Sequence, residues 1–112
     1  FSMASEKDVD EIELKDALEL VKSNKSVFVW IVGWTNTPLA DLLEIDSSKV
    51  ISANPFVIMD KETYPSELSN YERPIFVCHH GISSFELVKE LANENIKGYS
   101  LVGGIEAIKS RA

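Results

Sequence analysis

Two hydrophobic periods alternate along this chain. Leu14, Ala17, Leu18 and Val21 fall at i, i+3, i+4 and i+7, which predicts an amphipathic helix over 13–22. Residues 27–32, Val-Phe-Val-Trp-Ile-Val, are apolar throughout, the pattern of a strand covered on both faces. Thr37-Pro38 supplies a cap and a first-turn proline for a second helix through Leu-Ala-Asp-Leu-Leu-Glu. Residues 49–53 and 56–59 each read as a short strand, parted by Asn54-Pro55, and 64–71 as a single helical turn. Ile75 to Val77 reads as a short buried strand. Ser83 and Glu86 have the spacing of a capping box, opening a helix with Ser84, Leu87, Val88, Leu91 and Ala92 along one stripe. Asn95 suits a left-handed stop, with Ile96 folding back on Leu91. A strand over 99–102, a Gly103-Gly104 turn and a helix over 105–111 complete the chain. Strands alternating with helices predict an α/β fold: a small three-layer domain with a central, mainly parallel sheet of about five strands flanked by helices.

Composition narrows the setting. The length of 112 residues fits one domain, expected over 10–112, with 1–9 as an expression remnant (Phe1 and Ser2 ahead of Met3) and a charged lead-in. A net charge of −7 argues against nucleic acid and makes the surface as a whole repel small anions. No run approaches the ~18 apolar residues of a membrane span, and the N-terminal stretch lacks the order of a secretory signal. One cysteine excludes an intrachain disulfide and a CxxC motif, as expected of a reducing, cytoplasmic setting.

That cysteine, Cys78, ends an apolar run and begins the polar loop His79-His80-Gly81-Ile82-Ser83-Ser84. In an open α/β sheet, ligands gather at the carboxyl edge, where strands hand over to helices. The loop contains no proline, so each residue from His79 to Ser84 offers a backbone N–H, and Gly81 supplies the dihedral freedom to curl those donors inward. Such a cup, backed by a helix N-terminus, binds anions and lowers the pKa of a thiol placed in it. The expectation is a solvent-reachable sulfur at the mouth of that cup, acting as a nucleophile, against the alternative of a cysteine that packs simply as a small buried hydrophobe.

The segment 74–105 also resembles the rhodanese family, whose site runs strand, Cys-x-x-Gly-x-Arg-Ser, helix. Cys78, Gly81 and Ser84 are in register with it, and Leu101 to Ile105 resembles the family's Leu-x-Gly-Gly-Ile signature. Ser83 stands where the family carries its loop arginine, and Ile31-Val32-Gly33 near its Asp-x-Arg. The missing arginine also weighs against the phosphatases of this fold, which hold phosphate with Cys-x5-Arg. The resemblance implies a single rhodanese-like domain and sulfur transfer. Cys78 would take a sulfane sulfur as a persulfide and pass it to a thiol or other nucleophile. The donor would be a small sulfur-containing anion or a persulfide-carrying protein, with no cofactor. The alternative is a rhodanese-like module that has lost turnover and serves binding or regulation.

His79 and His80 are adjacent on a loop with no third ligand at suitable spacing, so no metal is expected. They are expected to wall the loop and supply some positive charge on mild acidification, in partial replacement of the arginine. Ser83 and Ser84 serve equally as helix-cap residues or as substrate-binding groups. Trp34, Thr35 and Asn36 follow a central strand and are expected near the rim of the site, where Trp34 would wall it or meet a partner, with filling a gap beside the core an equal alternative.

Overall fold

The computed structural model describes residues 11–32, 39–60, 62–64, 66–71 and 73–110. Its elements in chain order are β1 (Glu11–Ile12), α1 (Leu14–Lys22), β2 (Phe28–Trp30), α2 (Leu39–Leu43), β3 (Val50–Ser52), α3 (Pro55–Met59), β4 (Ile75–Val77), α4 (Ile82–Asn93), β5 (Tyr99–Leu101) and α5 (Gly104–Ser110). Single 3-10 turns at Ser47–Lys49 and Ser66–Asn70 precede β3 and β4. The strands form a five-stranded sheet in the order β1-β5-β4-β2-β3, with every pairing parallel. None of the described helices is long and apolar enough to cross a membrane.

Because both faces of the sheet are covered, the strands alternate between two apolar layers rather than between core and water. Phe28, Trp30, Ile75 and Val77 point to one layer with Ala17, Val21, Leu39, Leu43, Ile105 and Ile108, beneath α1, α2 and α5. Val27, Val29, Ile31, Phe76 and Cys78 point to the other with Ile58, Leu87, Val88 and Leu91, beneath α3 and α4. Cys78 thus continues the alternation of β4 by one residue and faces α4.

Several expectations meet the structure closely, and others are corrected. The helix over 13–22 and the strand Ile75–Val77 are present. Asn95 adopts φ 64, and the N–H groups of Asn95 and Ile96 return to the carbonyls of Ala92 and Leu91 at 3.0 Å each, a complete Schellman ending. Residues 56–59 are not a strand: Asn54 accepts the Val57 N–H at 3.0 Å and Pro55 takes the first turn, so the segment winds into α3. The capping box at Ser83 is absent. The helix begins two residues earlier, with Gly81 at its cap in a left-handed conformation, so Ser83 and Glu86 lie inside α4; Ala92 is exposed. Strand β1 had no sequence signal, since two residues carry no period. The expected helix start at Thr37-Pro38 lies outside the described residues.

Candidate active site

Strand order places the site. The chain leaves β2 toward the β3 edge and leaves β4 toward β5, so a crevice opens between the carboxyl ends of these two neighbouring central strands. Trp30 is in register with Val77, and the Ile31 N–H bonds the Val77 carbonyl at 3.1 Å, which holds the two strand ends level. Ile31 and Val32 emerge on one side and Cys78 on the other. Together with α3 and the start of α4 they enclose a cavity of about 780 Å³.

The Cys78 loop is pinned from behind. The N–H groups of Ile105 and Glu106, at the start of α5, bond the carbonyls of Cys78 and His79 at 2.8 and 3.3 Å. With the His79 carbonyl drawn to that side, the His80 N–H of the same peptide turns toward the sulfur. The approach is close enough that a Cβ on Gly104, at φ +58, would stand 2.3 Å from the Cys78 carbonyl oxygen. A Cβ on Gly81, at φ +88, would stand 2.9 Å from the Gly103 nitrogen. These glycines let two loop backbones touch; the Gly103-Gly104 turn is therefore part of how the site is built.

Cys78 Sγ accepts the N–H of Gly81 at 3.1 Å and of Ser84 at 3.3 Å. Its S–H can donate to Ser84 Oγ at 3.3 Å, and as a thiolate it receives that hydroxyl's hydrogen instead. Burial pushes the thiol pKa up, but the Ser84 hydroxyl and the N–H groups of Ser84, Gly81 and His80 outweigh it and hold the thiol below its ordinary value. Behind Ser84 lies Ser100 on β5, wholly buried like Ser84, with the two hydroxyl oxygens 2.6 Å apart. Ser100 Oγ also reaches the Gly81 carbonyl at 3.5 Å. Either hydroxyl can donate across that contact; when Ser100 donates to Ser84, the Ser84 hydrogen is free for the sulfur, an ordering that suits the thiolate.

Two parts of the expected cup are corrected. The sulfur is not at a mouth: Cys78 is 3% exposed and forms the floor of the cavity. Nor do all the N–H groups from 79 to 84 converge on it. Those of Gly81 and Ser84 do so, with a contribution from His80. The N–H groups of Ile82 and Ser83 open the first turn of α4, where an α-helix has no internal acceptor to offer them.

His79, His80, Ile82 and Ser83 line the cavity and are exposed. The His79 ring stands edge-on to the core residue Trp30, with centroids 5.6 Å apart. Ser84 and Ser83 therefore do different things, one gripping the sulfur and the other walling the opening. Trp34, Thr35 and Asn36 lie outside the described residues. Sequence reasoning missed Ser100, a polar residue in a strand buried on both faces, and the α3 residues Pro55 and Phe56, which wall the cavity. An unexplained buried serine in an apolar strand is the signal that would have found the first.

No protein-family model and no curated protein matches the sequence. Solved structures match the fold. A rhodanese-related protein from Thermoplasma volcanium superposes with a TM-score of 0.63, at 17% identity over 91% of this chain and 92% of that one. A NAD-dependent persulfide reductase from A. fulgidus gives 0.61 at 19% identity, with 93% of this chain matching 16% of the much longer enzyme. A protein of unknown function from Rhodopseudomonas palustris, described as a possible tyrosine phosphatase, gives 0.68 at 16% identity over 96% of this chain and 85% of that one. At such identities the likeness is one of architecture. The fold of this chain is rhodanese-like.

Proposed function

We propose that this protein carries sulfane sulfur on Cys78 and passes it to a second thiol. The observation that carries the reading is a lone thiol on a cavity floor, held by two backbone N–H groups and a buried hydroxyl that favour its anion. The Cys78 thiolate attacks the outer sulfur of a donor R–S–S⁻. A new S–S bond forms, the donor's own S–S bond breaks, and the electron pair leaves on R–S⁻. Cys78 then holds a persulfide whose outer sulfur projects into the cavity, near the first-turn N–H groups of Ile82 and Ser83. An acceptor thiolate attacks that outer sulfur and returns Cys78 to the thiolate, with no net redox change. Protein persulfides are donors of this R–S–S⁻ kind, and a small sulfur-containing anion such as thiosulfate reacts alike, its S–S bond breaking and the electron pair leaving on sulfite. A fold neighbour described as a persulfide reductase supports the reading, because it ties persulfide chemistry to a protein that contains this architecture.

A second reading has its own observation. Cys78 is only 3% exposed, and among the described residues lining the cavity there is no lysine or arginine to draw in an anion. On that reading the domain is an inactive binding or regulatory module. Intact-mass analysis separates the two after incubation with thiosulfate and with a protein persulfide. Sulfur transfer requires a gain of one sulfur atom that disappears in Cys78→Ser. Folded protein that gains no sulfur from either donor leaves the binding module.

A further inference from the structure

The lining of the cavity says what kind of donor fits it. Ile31 and Val32 come from one side and Pro55 and Phe56 from another, with Ile82 at the opening, so the walls around the sulfur are mainly aliphatic and aromatic. Phe56 is 86% and Ile82 67% exposed, which places two large apolar side chains in water beside the entrance of a protein with net charge −7. Exposed apolar groups bordering a concave site mark a surface that gains by being covered. Among the described residues of the lining, charge is also lacking: there is no Lys, Arg, Asp or Glu. A small, strongly hydrated dianion finds no fixed cation there, only the first-turn N–H groups of Ile82 and Ser83 and the neutral polar side chains of Asn54 and Ser83 beside the two histidines, to replace the water it must shed. The cavity volume, about 780 Å³, exceeds what such an ion fills.

We propose that the cavity selects organic sulfane-sulfur donors, in which the reactive sulfur is borne by an aryl or alkyl group, over inorganic thiosulfate. This rests on the sulfur-carrier reading of Cys78 and names the substrate class of that site. The apolar group packs among Val32, Pro55, Phe56 and Ile82 while the sulfane sulfur descends to Cys78. For a thiosulfonate, R–SO2–S⁻ plus Cys78–S⁻ gives R–SO2⁻ plus Cys78–S–S⁻. The donor's S–S bond breaks, and the electron pair leaves on the sulfinate.

The test holds the reactive head constant and varies the tail. Single-turnover loading of Cys78 is followed by intact mass with benzenethiosulfonate, methanethiosulfonate and thiosulfate, each rate divided by that donor's rate with free N-acetylcysteine. The phenyl donor should exceed the methyl donor by about tenfold, the equivalent of fully burying one or two extra carbons, because the exposed Phe56 and Ile82 cover the ring only in part. Thiosulfate should be slowest. The double variant Phe56→Ser with Ile82→Ser, made at exposed positions, should cut the phenyl-to-methyl ratio to about threefold or less. Ser83→Arg, which puts a guanidinium at the opening, should raise thiosulfate loading about tenfold. Equal normalised rates for the phenyl and methyl donors, or thiosulfate matching the phenyl donor, overturn the inference and leave sulfur transfer standing. No sulfur gained from any of the three donors by folded protein ends both.

Discussion

Replacing Ser84 by alanine tests the mechanism of thiolate stabilisation directly. The substitution removes the hydroxyl 3.3 Å from Cys78 Sγ while leaving the Ser84 N–H, which also reaches the sulfur, in place. Ser100 keeps the Gly81 carbonyl as an acceptor at 3.5 Å, so no buried hydroxyl is stranded. A hydrogen bond to a charged group is worth about 1.5–3 kcal/mol. At a pH below the thiol pKa of both proteins, that loss corresponds to roughly ten- to a hundredfold less thiolate. The assay is alkylation by iodoacetamide across pH, with no competing signal because Cys78 is the sole cysteine. The midpoint of the profile is the readout, since access to a buried sulfur changes the rate at every pH alike. Ser84→Ala should move that midpoint upward, and Ser100→Ala should move it the same way by less, because Ser100 touches Ser84 and the Gly81 carbonyl but not the sulfur itself. An unmoved or lowered midpoint in a folded Ser84→Ala protein would refute the reasoning.

Three further outcomes follow from the same geometry. Because folding lowers the Cys78 pKa, the unfolded chain binds more protons in the interval below the ordinary thiol value. The stability of the wild type relative to Cys78→Ser should therefore rise with pH through that interval, level off above it, and be lost as pH falls through the folded value; denaturant midpoints at a series of pH values check the sign. Gly104→Ala sets a Cβ 2.3 Å from the Cys78 carbonyl at a positive φ, and should destabilise by at least about 2 kcal/mol in urea unfolding while disturbing Cys78 alkylation. Asn54→Ala removes the cap of α3 and should lower stability by about 1 kcal/mol in the same measurement, whereas a strand at 56–59 would be indifferent to it.

Neighbouring residues can propose an element but cannot say what covers it. Residues 75–77 are legible as a buried strand because three consecutive apolar residues ending at a polar loop leave few alternatives. The Asn95 ending is legible because its bonds span only five residues. Residues 56–59 misled for the opposite reason: a short apolar run has no period of its own, and only the cap at Asn54 decides that it coils. The capping box at Ser83 failed because Gly81, two residues earlier, could already start the helix once Gly103-Gly104 packed against it.

From its residues alone, this chain announces alternating strands and helices, a single thiol where a strand meets a helix, and a glycine loop able to present donors to it. These are local properties, set by dihedral freedom and by the spacing of apolar groups. Folding decided the rest. The divergence of the chain after the carboxyl ends of β2 and β4 opens the cavity, the N-terminal turn of α5 draws back the loop carbonyls, and β5 brings Ser100 to within 2.6 Å of Ser84 from 16 positions away. Depth was decided there too: the sulfur lies on a cavity floor because α3 and α4 rise around it. No local pattern encodes that, since burial depends on what packs above a residue and not on the residues beside it in the chain.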